Sequence, residues 1–166
     1  MKTKVKNILL LVFAACIGMS VFIGCAASPD KATDESAQNR EYMAQVNSLM
    51  DELNTGLLDF SDAVSADDLV GMKTHSEKAY KAIDDLEKVE APEALEKVHQ
   101  EYLDGCKALK KALSGYIDLY SNIDTATEDQ PYDFDNYNKD LTKLKDDYNS
   151  GIDHLKEGDR LAAEIE

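Results

Sequence analysis

From residue 42 onward the apolar residues of this chain recur at spacings of three and four, which places them on one face of a helix. The first run is Tyr42, Val46, Leu49, Met50, Leu53, Leu57, Phe60 and Val64. The second is Leu69, Met72, Ser76, Ala79, Ile83, Leu86 and Val89. A third follows with Leu95, Val98, Tyr102, Cys106, Leu109, Leu113, Tyr116, Tyr120 and Ile123, and a fourth with Phe134, Tyr137, Leu141, Leu144, Tyr148, Ile152, Leu155 and Ala162. No strand-like alternation of useful length interrupts them. Four stripes of similar length with short connections predict an all-α domain, an antiparallel up-down four-helix bundle.

The residues between the runs predict how the helices start and stop. Ser65-Ala66-Asp67-Asp68 has the form of a capping start, with Ser65 expected to cap the second helix and the acids to complement its dipole. Pro92 is expected as the first residue of the third helix. Residues 124–133 (DTATEDQPYD) form a loop by their Thr, Asp and Pro content. Glu77–Lys81, Asp84–Lys88 and Glu93–Lys97 place an acid four residues before a base, the order that supports a helix. Glycines at 56, 71, 105, 115, 151 and 158 fall inside the helical runs, where each costs up to about 1 kcal/mol against alanine. They imply either close approach of a neighbouring helix or a local kink.

The first 28 residues have a different pattern. Residues 1–7 (MKTKVKN) carry Lys2, Lys4 and Lys6 and no acid, residues 8–23 carry no charge, and Gly24-Cys25-Ala26-Ala27-Ser28 is small. A basic head, an apolar middle and a small-residue exit is the layout of a secretory signal peptide. The uncharged run of sixteen is short of the roughly 20 residues a membrane-spanning helix needs, which argues against an uncleaved spanning anchor. Phe22-Ile23-Gly24-Cys25 resembles the lipobox of bacterial lipoproteins, although Phe22 stands where that family usually has Leu. Phe13-Ala14-Ala15-Cys16 is a second near-match, but cleavage there would leave an apolar IGMSVFIG on the mature chain.

The resemblance implies residues 1–24 as a removed signal peptide and lipidation of the Cys25 thiol. Residues 25–35 would then be the lipidated cysteine and a polar tether, and residues 36–166 the bundle. It implies attachment to the outer face of a bacterial membrane, and outer-membrane sorting in a two-membrane cell because Ala26 rather than Asp follows the cysteine. Two or more acyl chains would anchor the domain stably without spanning the bilayer. Residues 92–120 also resemble a segment of small, helical, uncharacterised bacterial lipoproteins, which carries no active site across.

Composition narrows the partners. All 33 acidic residues follow Cys25 and three of the 18 basic ones precede it, so the 142 residues from Cys25 onward carry a net charge of −18. Such a surface repels nucleic acid and anionic headgroups; it serves solvation first, and its complement would be cations or a basic protein partner. Cys16 would leave with the signal peptide and Cys25 would carry lipid, so Cys106 is left alone, expected as a small buried apolar residue.

Candidate chemistry is sparse. Glu96-x-x-His99 has the spacing of a dinuclear carboxylate site, but His75 and His154 have Met72 and Gly151 where its second half would need Glu. His99 and His154 fall at similar heights on the third and fourth helices, which makes them the pair for a mononuclear metal or haem alternative. The segment DFDNYN at 133–138 lacks the oxygen ligand and the glycine of a calcium loop and is better explained as acids at a helix start. Neither a phosphate loop, a nucleophile elbow nor a Cys-x-x-Cys is present, so the sequence predicts no cofactor and no enzymatic activity. Of the eight tyrosines, Tyr102, Tyr116, Tyr120, Tyr137 and Tyr148 lie on the inward stripes. Tyr116 and Tyr120, one turn apart beside the acidic loop, are the candidate ligand-binding residues.

Overall fold

The computed structural model describes residues 34–165, and everything expected of residues 1–33, Cys25 included, lies outside them. Four α-helices follow in order: α1 (Asp34–Ser65), α2 (Leu69–Leu86), α3 (Glu96–Asp124) and α4 (Tyr137–Ala162). A 3-10 turn, Glu93–Leu95, leads into α3, and the described residues contain no strand. The all-α expectation with four helices therefore stands. α1 starts eight residues ahead of Tyr42, the first residue of its apolar stripe. Glu35, Ala37, Gln38, Arg40 and Glu41 are good helix formers that add no apolar face for periodicity to register.

The helix ends differ in detail from expectation. Ser65 is the last residue of α1, and Asp68 caps α2, its carboxylate accepting from the Gly71 N–H at 2.9 Å. The chain reverses between them because Asp67 takes a left-handed φ of 62°, which Asp tolerates better than most residues. Pro92 precedes the 3-10 turn instead of opening α3, and Phe134 lies in the loop, packed edge-on against Tyr132 at 4.8 Å. The expected acid–base pairs are also re-sorted. Lys81 and Lys88 both reach Asp85, at 2.6 and 2.8 Å, while Asp84 takes Lys110 of α3 at 2.6 Å.

α1 packs on α2, α3 on α4, and the two hairpins meet chiefly through α2 and α3. Gly56 lies against Ala79 and Ala63 against Gly71, so contacts run in opposite senses along α1 and α2. The same holds for α3 and α4, where Tyr102 meets Gly158, Gly105 meets Gly151, and Gly115 meets Leu144. α3 also meets α1, through the Phe60–Tyr116 edge contact at 5.7 Å. The core runs the length of the bundle, and Tyr102, Tyr116, Tyr120, Tyr137 and Tyr148 are all buried in it as the stripes predicted.

Of the two roles open to the glycines, close approach is the one found. A Cβ at Gly151 would stand 2.9 Å from the Gly105 carbonyl oxygen and 2.8 Å from Leu109 Cγ. One at Gly105 would stand 2.9 Å from the Gly151 carbonyl oxygen. Backbone meets backbone here, so the neighbours cannot yield by rotating a side chain. Gly56 is similarly placed, 2.9 Å from the Ala79 backbone nitrogen. Gly115, by contrast, faces only the flexible end of Leu144. Gly151→Ala is therefore expected to destabilise the bundle by about 1–3 kcal/mol, the usual cost of overpacking. Gly115→Ala should be close to neutral, because helix propensity offsets a small Leu144 adjustment. Thermal melts followed by circular dichroism compare the two; equal melting temperatures for both variants would remove the backbone-contact argument.

Candidate functional site

The polar chemistry of the bundle collects at its two ends and in two grooves alongside α3. At the end formed by the α1–α2 turn and the loop of residues 125–136, the structure gives the predicted ligand residues to the core. Tyr116 is 1% exposed and packs against Phe60; Tyr120 is 3% exposed and its hydroxyl donates to the Asp67 carboxylate. Their rings are closed to a ligand, and the Tyr120 hydroxyl has its acceptor inside the chain. This corrects the expectation of an aromatic cleft at that end. The interior of a helix stripe is where a tyrosine ring buries most area, and the turn supplies a partner for its polar tip.

At the opposite end two tyrosine hydroxyls each bind a titratable group. The Tyr42 hydroxyl of α1 lies 3.0 Å from Nδ1 of His99 on α3, with the rings edge-on at 5.8 Å. Burial pushes the His99 pKa down and that of the Tyr42 hydroxyl up, so the neutral imidazole accepts and the phenol donates. The Tyr102 hydroxyl donates to Asp159 of α4 at 2.8 Å. Burial raises the Asp159 carboxyl above its ordinary range, and the bond from Tyr102 opposes that shift.

His154 does not join His99. Its Nδ1–H donates to Glu101 at 2.6 Å across the α3–α4 seam. Positions 99 and 101 are about 200° apart around α3, so the two histidines serve different sides of that helix. Among the described residues no three His, Cys, Asp or Glu side chains converge as metal ligands. The metal or haem alternative through His99 and His154 thus lacks the shared geometry it needs, because each imidazole already has a partner on a separate seam.

Cys106 sits on α3 at 1% exposure, and its thiol is pushed up to about 12, first by burial and then by the Glu87 charge. A thiolate is scarce there at neutral pH. The remaining polar surface of interest lines two grooves. One, of about 380 Å³ between α2 and α3, is bordered by Lys73, Ser76, Glu77, Tyr80, Ser114 and Asp118. The other, of about 410 Å³ between α3 and α4, includes Asn122, Tyr132, Asp140 and Lys143, along with Lys111, which is already bonded to Asp147 at 2.6 Å. The sequence pattern passed over Tyr80 and Ser114 because both lie off the apolar stripes. The available signal was Ser76, a hydroxyl standing on an otherwise apolar stripe. Among the described residues no helix is long and apolar enough to cross a membrane. The chain matches no protein-family model, no curated protein and no solved structure.

Two outcomes follow from the buried groups. The folded His99 resists the proton that the unfolded chain accepts near 6.5, so the folded state loses stability as pH falls from about 6.5 through the lowered value. Urea unfolding at pH 7 and pH 5 is expected to show a larger loss for the native protein than for His99→Gln; equal losses would mean that His99 is not the responsible group. Cys106 is expected to react with a thiol reagent only after unfolding. Rapid stoichiometric labelling of the folded Cys16→Ala, Cys25→Ala protein would contradict its burial.

Proposed function

We propose that this protein is a lipid-anchored, extracytoplasmic bacterial lipoprotein whose helical bundle acts as a binding module at the cell envelope, without catalysis. The observation that carries the reading is Cys25, placed after a basic head and a sixteen-residue uncharged run and followed at once by small and polar residues. The interval from Cys25 to the start of α1 at Asp34 is short, so a lipid on that thiol would hold the start of α1 near the bilayer. An up-down path through the bundle is supported by the opposed contact order within both hairpins. On that path the α1–α2 turn and the loop of residues 125–136 face away from the membrane, roughly 48 Å along the 32-residue α1.

The distal end is where the charge is least balanced. Residues 60–72 and 112–138 contain Asp62, Asp67, Asp68, Asp118, Asp124, Glu128, Asp129, Asp133 and Asp135 and no Lys or Arg. A basic protein surface is the complementary partner, since opposed potentials speed encounter and turn away anionic competitors. A binding role accounts for the chemistry better than catalysis does. The one thiol among the described residues, Cys106, is buried with its pKa raised, and His99 and His154 each have a structural partner.

The anchor is tested at one residue. Cys25→Ala should abolish metabolic acyl labelling and leave an unprocessed precursor, while Cys16→Ala should change neither. Acyl labelling that persists in Cys25→Ala would overturn the assignment.

A further inference from the structure

The groove between α2 and α3 holds hydroxyl groups whose hydrogen bonding is incomplete. The Tyr80 hydroxyl is closed off from solvent and makes no hydrogen bond of normal length, although the Ser76 and Ser114 hydroxyls stand near enough to oppose the upward shift that burial gives its pKa. A buried hydroxyl left this way costs free energy that a suitable partner would recover. The Ser76 hydroxyl stands beside it but gives its proton to the Lys73 carbonyl at 2.8 Å. Ser114 of α3, which is exposed, stands near the same hydroxyl from the facing helix and lines the groove with it.

The same walls therefore offer both kinds of hydrogen-bonding group. The Ser76 and Thr74 hydroxyls donate to the α2 backbone, at 2.8 and 2.9 Å, and keep lone pairs to accept with. Ser114 and Tyr80 retain protons to donate. A molecule that meets both needs carries hydroxyls of its own. Glu77 and Asp118 face the groove from the two helices, with Lys73 as its single cation, so the lining is net negative. Ile117 supplies an apolar wall. At about 380 Å³ the space lies near the lower end of small-molecule sites, enough for a monosaccharide and too little for a large cofactor. The groove on the other side of α3 is a weaker candidate, because Lys111 there is already spent on Asp147.

We propose that the α2–α3 groove binds a small hydroxylated primary amine of the amino-sugar class. Its ammonium sits between Glu77 and Asp118, and one of its oxygens accepts from Ser114, which in turn accepts from Tyr80. A ligand that fixes the Ser114 hydroxyl in this orientation thereby turns its lone pair toward Tyr80. This deepens the binding-module reading by naming a ligand class. It does not depend on the anchor, whose own test at Cys25 can fail or succeed separately.

The test is calorimetric titration of the full chain in detergent micelles with glucosamine, alongside glucose and N-acetylglucosamine. Glucosamine is expected to bind saturably, and the two neutral sugars at least about tenfold more weakly, since charge-assisted hydrogen bonds are the stronger ones. Ser114→Ala and Tyr80→Phe should each weaken glucosamine about five- to tenfold, the effect of one hydrogen bond. Glu77→Gln with Asp118→Asn should remove the preference for the amine over glucose. Circular dichroism confirms that each variant is folded; if Tyr80→Phe is not, the exposed Ser114→Ala carries the hydroxyl test. Absence of saturation at about 20 mM glucosamine, equal binding of glucose, or full affinity in folded Ser114→Ala would each overturn the proposal.

Discussion

The bundle depends on the backbone contact between α3 and α4 at Gly105 and Gly151. Each glycine presents its carbonyl where the other's Cβ would be, so the two helices approach more closely than side chains would allow. That approach sets the register of α4 along α3. Once it is set, Tyr102 falls opposite Gly158 and Asp159, Glu101 opposite His154, and Lys111 opposite Asp147. Moving α4 by one turn, about 5.4 Å, would separate all of these pairs together. The cost of glycine inside a helix, about 1 kcal/mol each, is offset by the packing that the approach permits. Gly56 against Ala79 repeats the arrangement between α1 and α2.

The tyrosines connect this packing to the acidic composition. A tyrosine contributes a large ring to the core but brings a hydroxyl that must find a partner. Tyr102 uses Asp159, Tyr120 uses Asp67, and Tyr42 uses His99. In a chain rich in carboxylates an acceptor is often near where a tyrosine tip emerges, so rings can be buried without leaving the hydroxyl unbonded. Buried acceptors are affected in return. Asp159 is raised by burial and His99 is lowered by it, so at the Tyr42 and Tyr102 end of the bundle burial shifts the balance of a carboxyl and an imidazole toward their uncharged forms. Tyr80 departs from the pattern: its buried hydroxyl has only the neighbouring Ser76 and Ser114 hydroxyls, neither at normal hydrogen-bond length, and it borders a groove.

The arrangement of charge follows from the same architecture. The ion pairs lie along the helix flanks, between Lys81, Lys88 and Asp85, Lys110 and Asp84, and Lys111 and Asp147. Exposed pairs of this kind contribute little to stability. Their effect is to mix both signs of charge along the flanks, while the α1–α2 turn and the 125–136 loop hold acids without any Lys or Arg. The end bearing that turn and loop is thus the part of the surface with one sign of charge only, where the field can steer a partner's approach.

Periodicity in the sequence determined the number of helices, the stripes that face inward, the burial of Cys106 and of five tyrosines, and the loop after residue 124. These are local properties, since a residue three or four positions from another shares its face whatever the rest of the chain does. Tertiary structure alone decided the partners. Tyr42–His99, Tyr102–Asp159, Tyr120–Asp67 and Glu101–His154 join residues 53 to 57 positions apart, and no spacing rule within one helix relates them. The same holds for Asp84, which looked like a partner for Lys88 and instead pairs with Lys110 on α3. It holds for the glycines, whose role depends on which backbone lies opposite. The left-handed turn at Asp67 moved the α2 cap from Ser65 to Asp68 for a related reason: two helices can pack only if the turn between them reverses the chain in the space that their contact leaves.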